Sequence, residues 1–403
     1  MQPEVGVENF FDIHTSGRFT SCLQFRRMLS PFPMTILISV LAFVLLLTIL
    51  IIIHEAGHYS MAKIFGVDVE EFGFGLPPRA KTLFVRKRTI FSLNWVPFGG
   101  FVRLKGENEI NVEKRFEKGS FASASYFARI MILTGGVLMN FILAFTLLTV
   151  GFSVGRWVPN FYSSIEELKA AAVAGEIYLE TGVYITDVLP GSPAAKAGIV
   201  KDTAIESVDG VVVAEPQDVI AIQQGKSRVK YQLLEGEERK QRTVEVNLVD
   251  GKSGIAISPF AAKLSAPKRS ILKAVELAGR ETLFMTVQTV KGITNLISSL
   301  ATRAHVPEGI TGIVGIAVLT YSSVQEGLMT YLRLVALLSL SLAILNVLPL
   351  PALDGGRLLF VIVEMIIRRP LNQQFELITN AIGFFLLIGL IIIITFNDVI
   401  HLF

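Results

Sequence analysis

Four stretches of this chain are almost free of charge: residues 35–53, 127–152, 328–348 and 377–396. Each is close to the about 20 apolar residues that carry a helix across a bilayer core. The pattern predicts four membrane-spanning helices. Between the first two the period changes. Thr82-Leu83-Phe84-Val85 and Thr89-Ile90-Phe91-Ser92-Leu93 flank the basic turn Arg86-Lys87-Arg88, which predicts a β-hairpin. Pro97-Phe98-Gly99-Gly100-Phe101-Val102 follows, and Gly99 and Gly100 permit a bulge or a close backbone approach. Two readings of this segment stand: a structural cap on the membrane surface, or an edge that holds an extended peptide by strand addition.

After the second apolar run the composition shifts again. From about Gly175 to Pro259, short strands such as Val183-Tyr184-Ile185, Val211-Val212-Val213 and Thr243-Val244-Glu245-Val246 alternate with turn signals. Ser270 to about Arg303 predicts an amphipathic helix along the outer interface. Leu272, Val275, Leu283, Val287 and Val290 form its apolar side, with Lys273, Glu276, Arg280 and Lys291 elsewhere. Gly309 to Ala317 reads as a packed or re-entrant segment.

Composition agrees with a membrane protein. Mean hydropathy is +0.56 over 403 residues, and 51% of residues are hydrophobic against 18% charged. The formal charge of +3 and pI of about 8.8 fit basic flanks around apolar spans and do not call for nucleic acid. A lone Cys22 excludes an intrachain disulfide and a thiolate metal cluster. Basic residues set the topology. The segment between the first two runs carries Arg86, Lys87, Arg88, Arg103, Lys105, Lys114 and Arg115, and the last loop carries Arg357, Arg368 and Arg369. By the positive-inside rule both loops are cytoplasmic, and both chain ends face outward. Residues 1–33 are mixed and polar and read as an N-terminal extension, with Met28 or Met34 as other starts. No short apolar core with a cleavage site precedes the first run, so a cleaved signal peptide is not expected.

The first run closes in His54-Glu55-Ala56-Gly57-His58. Residues four apart share a helix face, so His54 and His58 can offer two imidazoles to one metal, with Glu55 on the adjacent face. Ionisable groups at membrane depth are costly and mark function. Catalytic zinc takes three protein ligands. His14, His305 and His401 read as surface histidines. The third run, however, ends in Asn346-Val347-Leu348-Pro349-Leu350-Pro351-Ala352-Leu353-Asp354-Gly355-Gly356. The predicted topology brings Asp354 to the membrane face that the histidines approach. The prolines free backbone carbonyls, which is tolerated where backbone lines a cavity.

Taken together, these motifs resemble the site-2 proteases, the intramembrane zinc metalloproteases, of the bacterial kind that cleaves anti-sigma factors. Gly135-Gly136-Val137-Leu138-Met139-Asn140 in the second run and the Phe98-Gly99-Gly100-Phe101-Val102 loop are similar too. Leu189-Pro190-Gly191-Ser192-Pro193-Ala194-Ala195, followed by Ser207-Val208-Asp209-Gly210, resembles a single circularly permuted bacterial PDZ domain. The likeness covers Met34 onward. It departs at the leader and at Ile313, where relatives often have proline.

The resemblance implies a polytopic α-helical membrane protein with four transmembrane helices, a cytoplasmic-side β-hairpin loop and one inserted α+β PDZ domain. The expected divisions are an extension at 1–33, helix 1 with the metal motif at 34–58, the hairpin loop at 59–126 and helix 2 at 127–155. A PDZ domain at 175–262, an amphipathic and re-entrant segment at 270–324, helix 3 with the Asp motif at 325–356 and helix 4 at 375–400 complete them. It implies Zn²⁺ held by His54, His58 and Asp354, with Glu55 as general base. Asn346, Pro349, Gly99 and Gly100 would position an unwound substrate strand, and Gly182 and Val183 would line the PDZ groove. The implied substrate is a transmembrane protein, an anti-sigma factor or a leader peptide, cut by regulated intramembrane proteolysis. The implied setting is the lipid bilayer of the bacterial inner (plasma) membrane, with the metal site toward the cytoplasm and the PDZ domain outside. The other readings are a catalytically inactive PDZ membrane adaptor and a metal transporter. Intact site residues argue against the first. The second leaves Glu55 and the PDZ domain without a use.

Overall fold

The computed structural model describes residues 33–107, 109–236, 240–303, 305–307 and 309–402. The extension expected at 1–33, with His14 and Cys22, lies outside the described residues except for Pro33. In chain order the elements are α1 (Pro33–Ile64), β1 (Val69–Arg86), β2 (Thr89–Leu104), α2 (Tyr126–Ser153), α3 (Ile165–Val173), β3 (Tyr178–Val188), β4 (Thr203–Val208), β5 (Val211–Val212) and α4 (Pro216–Gln223). They continue with β6 (Arg228–Glu235), β7 (Lys240–Asn247), β8 (Ile255–Ser265), α5 (Ile271–Arg303), α6 (Ile313–Glu326), α7 (Leu328–Val347), α8 (Asp354–Ile367) and α9 (Gln373–Leu402). The chain divides into two compact units, one spanning Arg156–Arg269 and the other built from the segments on either side of it.

In the flanking unit, α1, α2, α7 and α9 are long and apolar enough to cross a membrane, as the four apolar runs predict. Central in this unit is α2, which touches α1, α5, α7 and α8. Glycine makes the α1–α2 crossing close, since a Cβ on Gly135 would lie 2.7 Å from the Gly57 carbonyl oxygen. Near the histidine end, Ala62, Val67, Leu104, Phe121, Ile132 and Leu133 form one buried cluster. Farther along α1, Leu46 and Leu50 pack with Tyr331, Leu334 and Val335 of α7. By contrast, α9 buries only 6% of its most apolar stretch, against 39% for α7, so its apolar side chains face outward.

One expectation for this unit is corrected. The segment after α1 is more than a hairpin, because both strands bend and pair twice. Phe72 lies opposite both Val102 and Phe91, and Gly73 opposite both Phe101 and Ser92. The result has four rungs, in the order 79–86, 89–94, 71–74 and 100–104, with 100–104 at one edge. Glu71 is its buried hub, receiving hydrogen bonds from Arg79 Nε and Nη2 at 2.8 and 2.6 Å and from Ser92 Oγ at 2.6 Å. Burial pushes the Glu71 carboxyl up, but these bonds outweigh it and hold it below the ordinary carboxylate range. The helix expected from Ser270 to about Arg303 forms as α5 (Ile271–Arg303). Leu272, Val275, Leu283, Val287 and Val290 stay exposed. The buried face is Ala274, Leu277, Ala278, Glu281 and Thr282, and α5 packs on α2 and α7. Small residues let it approach those helices and leave the larger apolar ones turned away.

Within the Arg156–Arg269 unit the strands form a sheet in the order β7-β6-β4-β3-β8, with β5 on β4. Alternating Val183, Ile185, Ile205, Val229, Tyr231 and Leu233 build its core. Gly182 and Val183, expected to line a peptide groove, lie on β3 inside this sheet. Val183 is paired with Ile205 on one side and Pro259 on the other, and Gly182 pairs with Phe260. An interior strand has no free edge to offer. Among the described residues, the outer strands are β7 and β8.

Candidate metal centre

Helix α1 runs past the predicted boundary at His58 to Ile64. Helical spacing places the two imidazoles on one face, and Nε2 of His58 lies 3.1 Å from Nε2 of His54. Asp354 Oδ2 lies 2.9 Å from His54 Nε2 and 3.2 Å from His58 Nε2. Both histidines are buried, at 7% and 8% exposure. Tetrahedral zinc with bonds of about 2.0–2.1 Å separates its ligand atoms by about 3.3 Å. Edges of 2.9, 3.1 and 3.2 Å, from two imidazoles and a carboxylate, therefore fit that ion.

How each ligand is held follows from local sequence. His58 Nδ1 donates to the Ile132 carbonyl of α2 at 2.8 Å, which leaves the Nε2 lone pair facing the site. Helix α2 crosses directly over the pair at Gly136. A Cβ there would lie 2.5 Å from His58 Nε2 and 2.7 Å from His54 Nε2. Asp354 opens α8, after α7 has ended at Val347. The link between them turns at Ala352, whose φ is +73°, an unusual angle for a residue with a side chain. The Ala352 N–H donates to Asn380 Oδ1 of α9 at 3.2 Å. Gly383 of α9 lies against Pro351, where a Cβ would meet its carbonyl oxygen at 2.5 Å.

A cavity of about 260 Å³ opens onto His54 and Asp354, two of the three donors, and is lined by Ile51, His54, Glu55, Leu342, Asn346, Ala352, Leu353 and Asp354. Glu55 and Asn346, from separate motifs, thus share one space with the metal-binding atoms. The 100–104 edge rung of the sheet approaches as well. A Cβ on Gly100 would sit 3.4 Å from Ile51 Cγ2 and 3.5 Å from Glu55 Cγ, so glycine lets the strand lie flat on α1. Gly99, at φ +103°, makes the bend that leads into it. Pro349 is not among the cavity's lining residues. Gly182 and Val183 belong to the other unit.

Several supporting residues escaped the reading of the sequence. Asn140 was visible only as part of a family motif, and Asn380 as one polar residue in an apolar run. Below the site a buried ionic cluster joins α2, α8 and α9. Arg129 Nη1 meets Glu364 Oε2 at 2.6 Å, Arg115 Nη2 meets Glu376 Oε1 at 3.2 Å, and Arg357 pairs with Glu107. Nothing local marks those pairs, because each partner comes from a distant segment.

Comparison with known proteins agrees with this geometry. Residues 42–390 match Peptidase family M50. A Clostridium perfringens (strain 13 / Type A) protein is 29% identical over 371 residues, covering 91% of this chain and 99% of the relative. A Campylobacter jejuni subsp. jejuni protein is 29% identical over 377 residues, covering 90% and 93%. A Fusobacterium nucleatum subsp. nucleatum protein is 29% identical over 384 residues, covering 92% and 100%. All three carry the name "Putative zinc metalloprotease". The matched region takes in both histidines, Glu55, Asp354 and most of α9, and on that extent the chain belongs to peptidase family M50, the site-2 zinc metalloproteases.

Proposed function

We propose that this protein hydrolyses a peptide bond within or beside the transmembrane helix of a membrane-protein substrate. His54, His58 and Asp354 are its zinc ligands and Glu55 its general base. One observation carries the reading. Three metal-binding atoms lie within 3.2 Å of one another, and two of their residues, His54 and Asp354, line a cavity with Glu55, inside a unit of helices apolar enough to span a bilayer.

Zinc bound there would polarise the scissile carbonyl and acidify a water molecule. His54 and His58 supply neutral nitrogen donors, and the Asp354 carboxylate offsets part of the cation's charge. Glu55 follows His54 directly on α1, so its carboxylate turns into the cavity. It takes a proton from water and returns it to the leaving amine. Asn346 lines the same space and can donate its amide N–H to the oxygen on which charge develops. A substrate helix has its own backbone hydrogen bonds, so it must open before its carbonyl can be attacked. The 100–104 edge rung, beside Glu55, offers unpaired backbone groups to such an extended strand.

The basic segments around Arg86–Arg88 and Arg368–Arg369 support a reading in which the metal end faces the cytoplasmic side of a bacterial inner membrane. The Arg156–Arg269 unit is read as an outward PDZ domain that excludes substrates with large outer parts. Any peptide groove would follow the outer strand β8, next to α4. In this reading the substrate is a transmembrane protein such as an anti-sigma factor or a leader peptide.

The test pairs zinc content with cleavage of a model transmembrane substrate in detergent, for wild type and Glu55→Gln. Zinc in both proteins with cleavage only by wild type is the expected result. Equal cleavage by Glu55→Gln would overturn the assignment of the base, and a zinc-free wild type would overturn the ligand set.

A further inference from the structure

Asn140 lies on α2 one turn beyond Gly136 and is completely buried. The chemistry proposed above gives its side chain no task. Its Nδ2 sits 3.3 Å from Nδ1 of His54, while its Oδ1 is buried with no hydrogen-bond partner. Its backbone is fixed separately, since Ser339 Oγ of α7 donates to the Asn140 carbonyl at 2.8 Å. The two ends of a carboxamide have nearly the same shape, so hydrogen bonding decides which end faces the ring.

That decision has a consequence for the metal. If Nδ2 faces His54, it must donate to an Nδ1 lone pair. A neutral imidazole then carries its proton on Nε2, the nitrogen that stands 2.9 Å from Asp354 and 3.1 Å from the other imidazole. A protonated Nε2 cannot bind zinc. Turning the amide over removes the conflict. Oδ1 accepts from Nδ1–H, the orphaned oxygen gains a partner, and Nε2 keeps its lone pair for the metal. His58 already has this arrangement, donating Nδ1–H to the Ile132 carbonyl, so both rings would donate to α2 and aim Nε2 at one point.

We propose that Asn140 is a positioning residue of the metal centre: its Oδ1 accepts the Nδ1–H of His54, fixes that ring's tautomer and plane, and turns Nε2 toward zinc. The inference rests on the His54, His58 and Asp354 ligand set. It is tested by zinc affinity, from chelator competition, and by the visible absorption of the cobalt-substituted protein. Asn140→Ala is expected to weaken zinc about 10- to 100-fold and to change the cobalt spectrum, whereas Asn140→Asp, which can only accept, stays within about threefold of wild type. Asn140→Leu fills the volume without accepting and should match alanine, which keeps the test open if the alanine cavity unfolds the protein. Ser339→Ala, which touches only the Asn140 backbone bond, should leave zinc affinity unchanged. Unchanged affinity in Asn140→Ala or Asn140→Leu overturns the proposal. So does equal loss in Asn140→Asp, which would make the amide N–H the group that matters, or equal loss in Ser339→Ala, which would make packing the cause. A wild type that binds no zinc takes down the ligand set itself, and is told apart from these outcomes by that measurement alone.

Discussion

His54 and His58 arrive on an unbroken helix, whereas Asp354 arrives just after a helix has stopped. On the histidine side, α1 and α2 cross closely over Gly57 and Gly135, and Gly136 leaves room for both Nε2 atoms. Geometry there comes from regular backbone and dense packing, which resists small displacements. On the aspartate side, the link from Val347 to Asp354 turns through Ala352 and is tied to α9 through Asn380 and Gly383. The helix giving that support is the least buried of the four apolar ones. One half of the site is therefore held by a core and the other by a few contacts to a helix that mostly faces outward. The aspartate side is where metal affinity should be easiest to soften.

The largest effect expected is loss of a ligand. Structural zinc sites in small domains bind with about 10–16 kcal/mol, so removing one of three protein ligands should cost at least about 3 kcal/mol, or about 100-fold in affinity. His58→Ala and Asp354→Ala should both show this in chelator competition, while remaining helical by circular dichroism. A variant that still binds zinc as tightly as wild type would remove its side of the comparison. Next comes Gly136→Ala. The added carbon would press on both metal-facing nitrogens, at 2.5 and 2.7 Å, so α1 and α2 must part or the rings must turn. Overpacking of this kind typically costs about 1–3 kcal/mol. The thermal midpoint and zinc affinity should fall together. A fall in the midpoint alone would mean that the rings had room to adapt.

Both sides were only partly legible in the sequence, and for different reasons. The His54–His58 pair could be read because helical periodicity alone puts residues four apart on one face. Asp354 could be read because two prolines end an apolar run beside a costly carboxylate. Gly136 and Asn140 stood in a recognisable motif, yet their contact with the rings depends on how α2 crosses α1, which no local pattern states. The four-rung sheet was missed because β1 and β2 each pair twice, and a turn signal marks only the tip at Arg86–Arg88. The interior position of Gly182 was not legible for a related reason. Strand order is set by long-range pairing, and β8, far along the chain, takes the edge that β3 would otherwise expose.

A smaller and more telling effect is expected at Asn380. Its Oδ1 accepts the Ala352 N–H at 3.2 Å, two residues before the ligand, and its own position is 28 residues away on α9. Asn380→Ala removes the acceptor and leaves a backbone N–H without a protein partner, a change worth about 1 kcal/mol for a neutral hydrogen bond. If that bond holds the link in its metal-binding shape, zinc affinity should fall about 5- to 10-fold, by the same arithmetic that makes 1.4 kcal/mol tenfold. The histidine side should not notice. Gly136→Ala and Asn380→Ala should then add in free energy, because they act on opposite sides of the ion with no shared contact. Strong non-additivity would mean that the two halves are one mechanical unit. Full zinc affinity in Asn380→Ala would mean that the prolines and glycines around Asp354 hold the link without help, and that α9 is attached to the site but does not shape it.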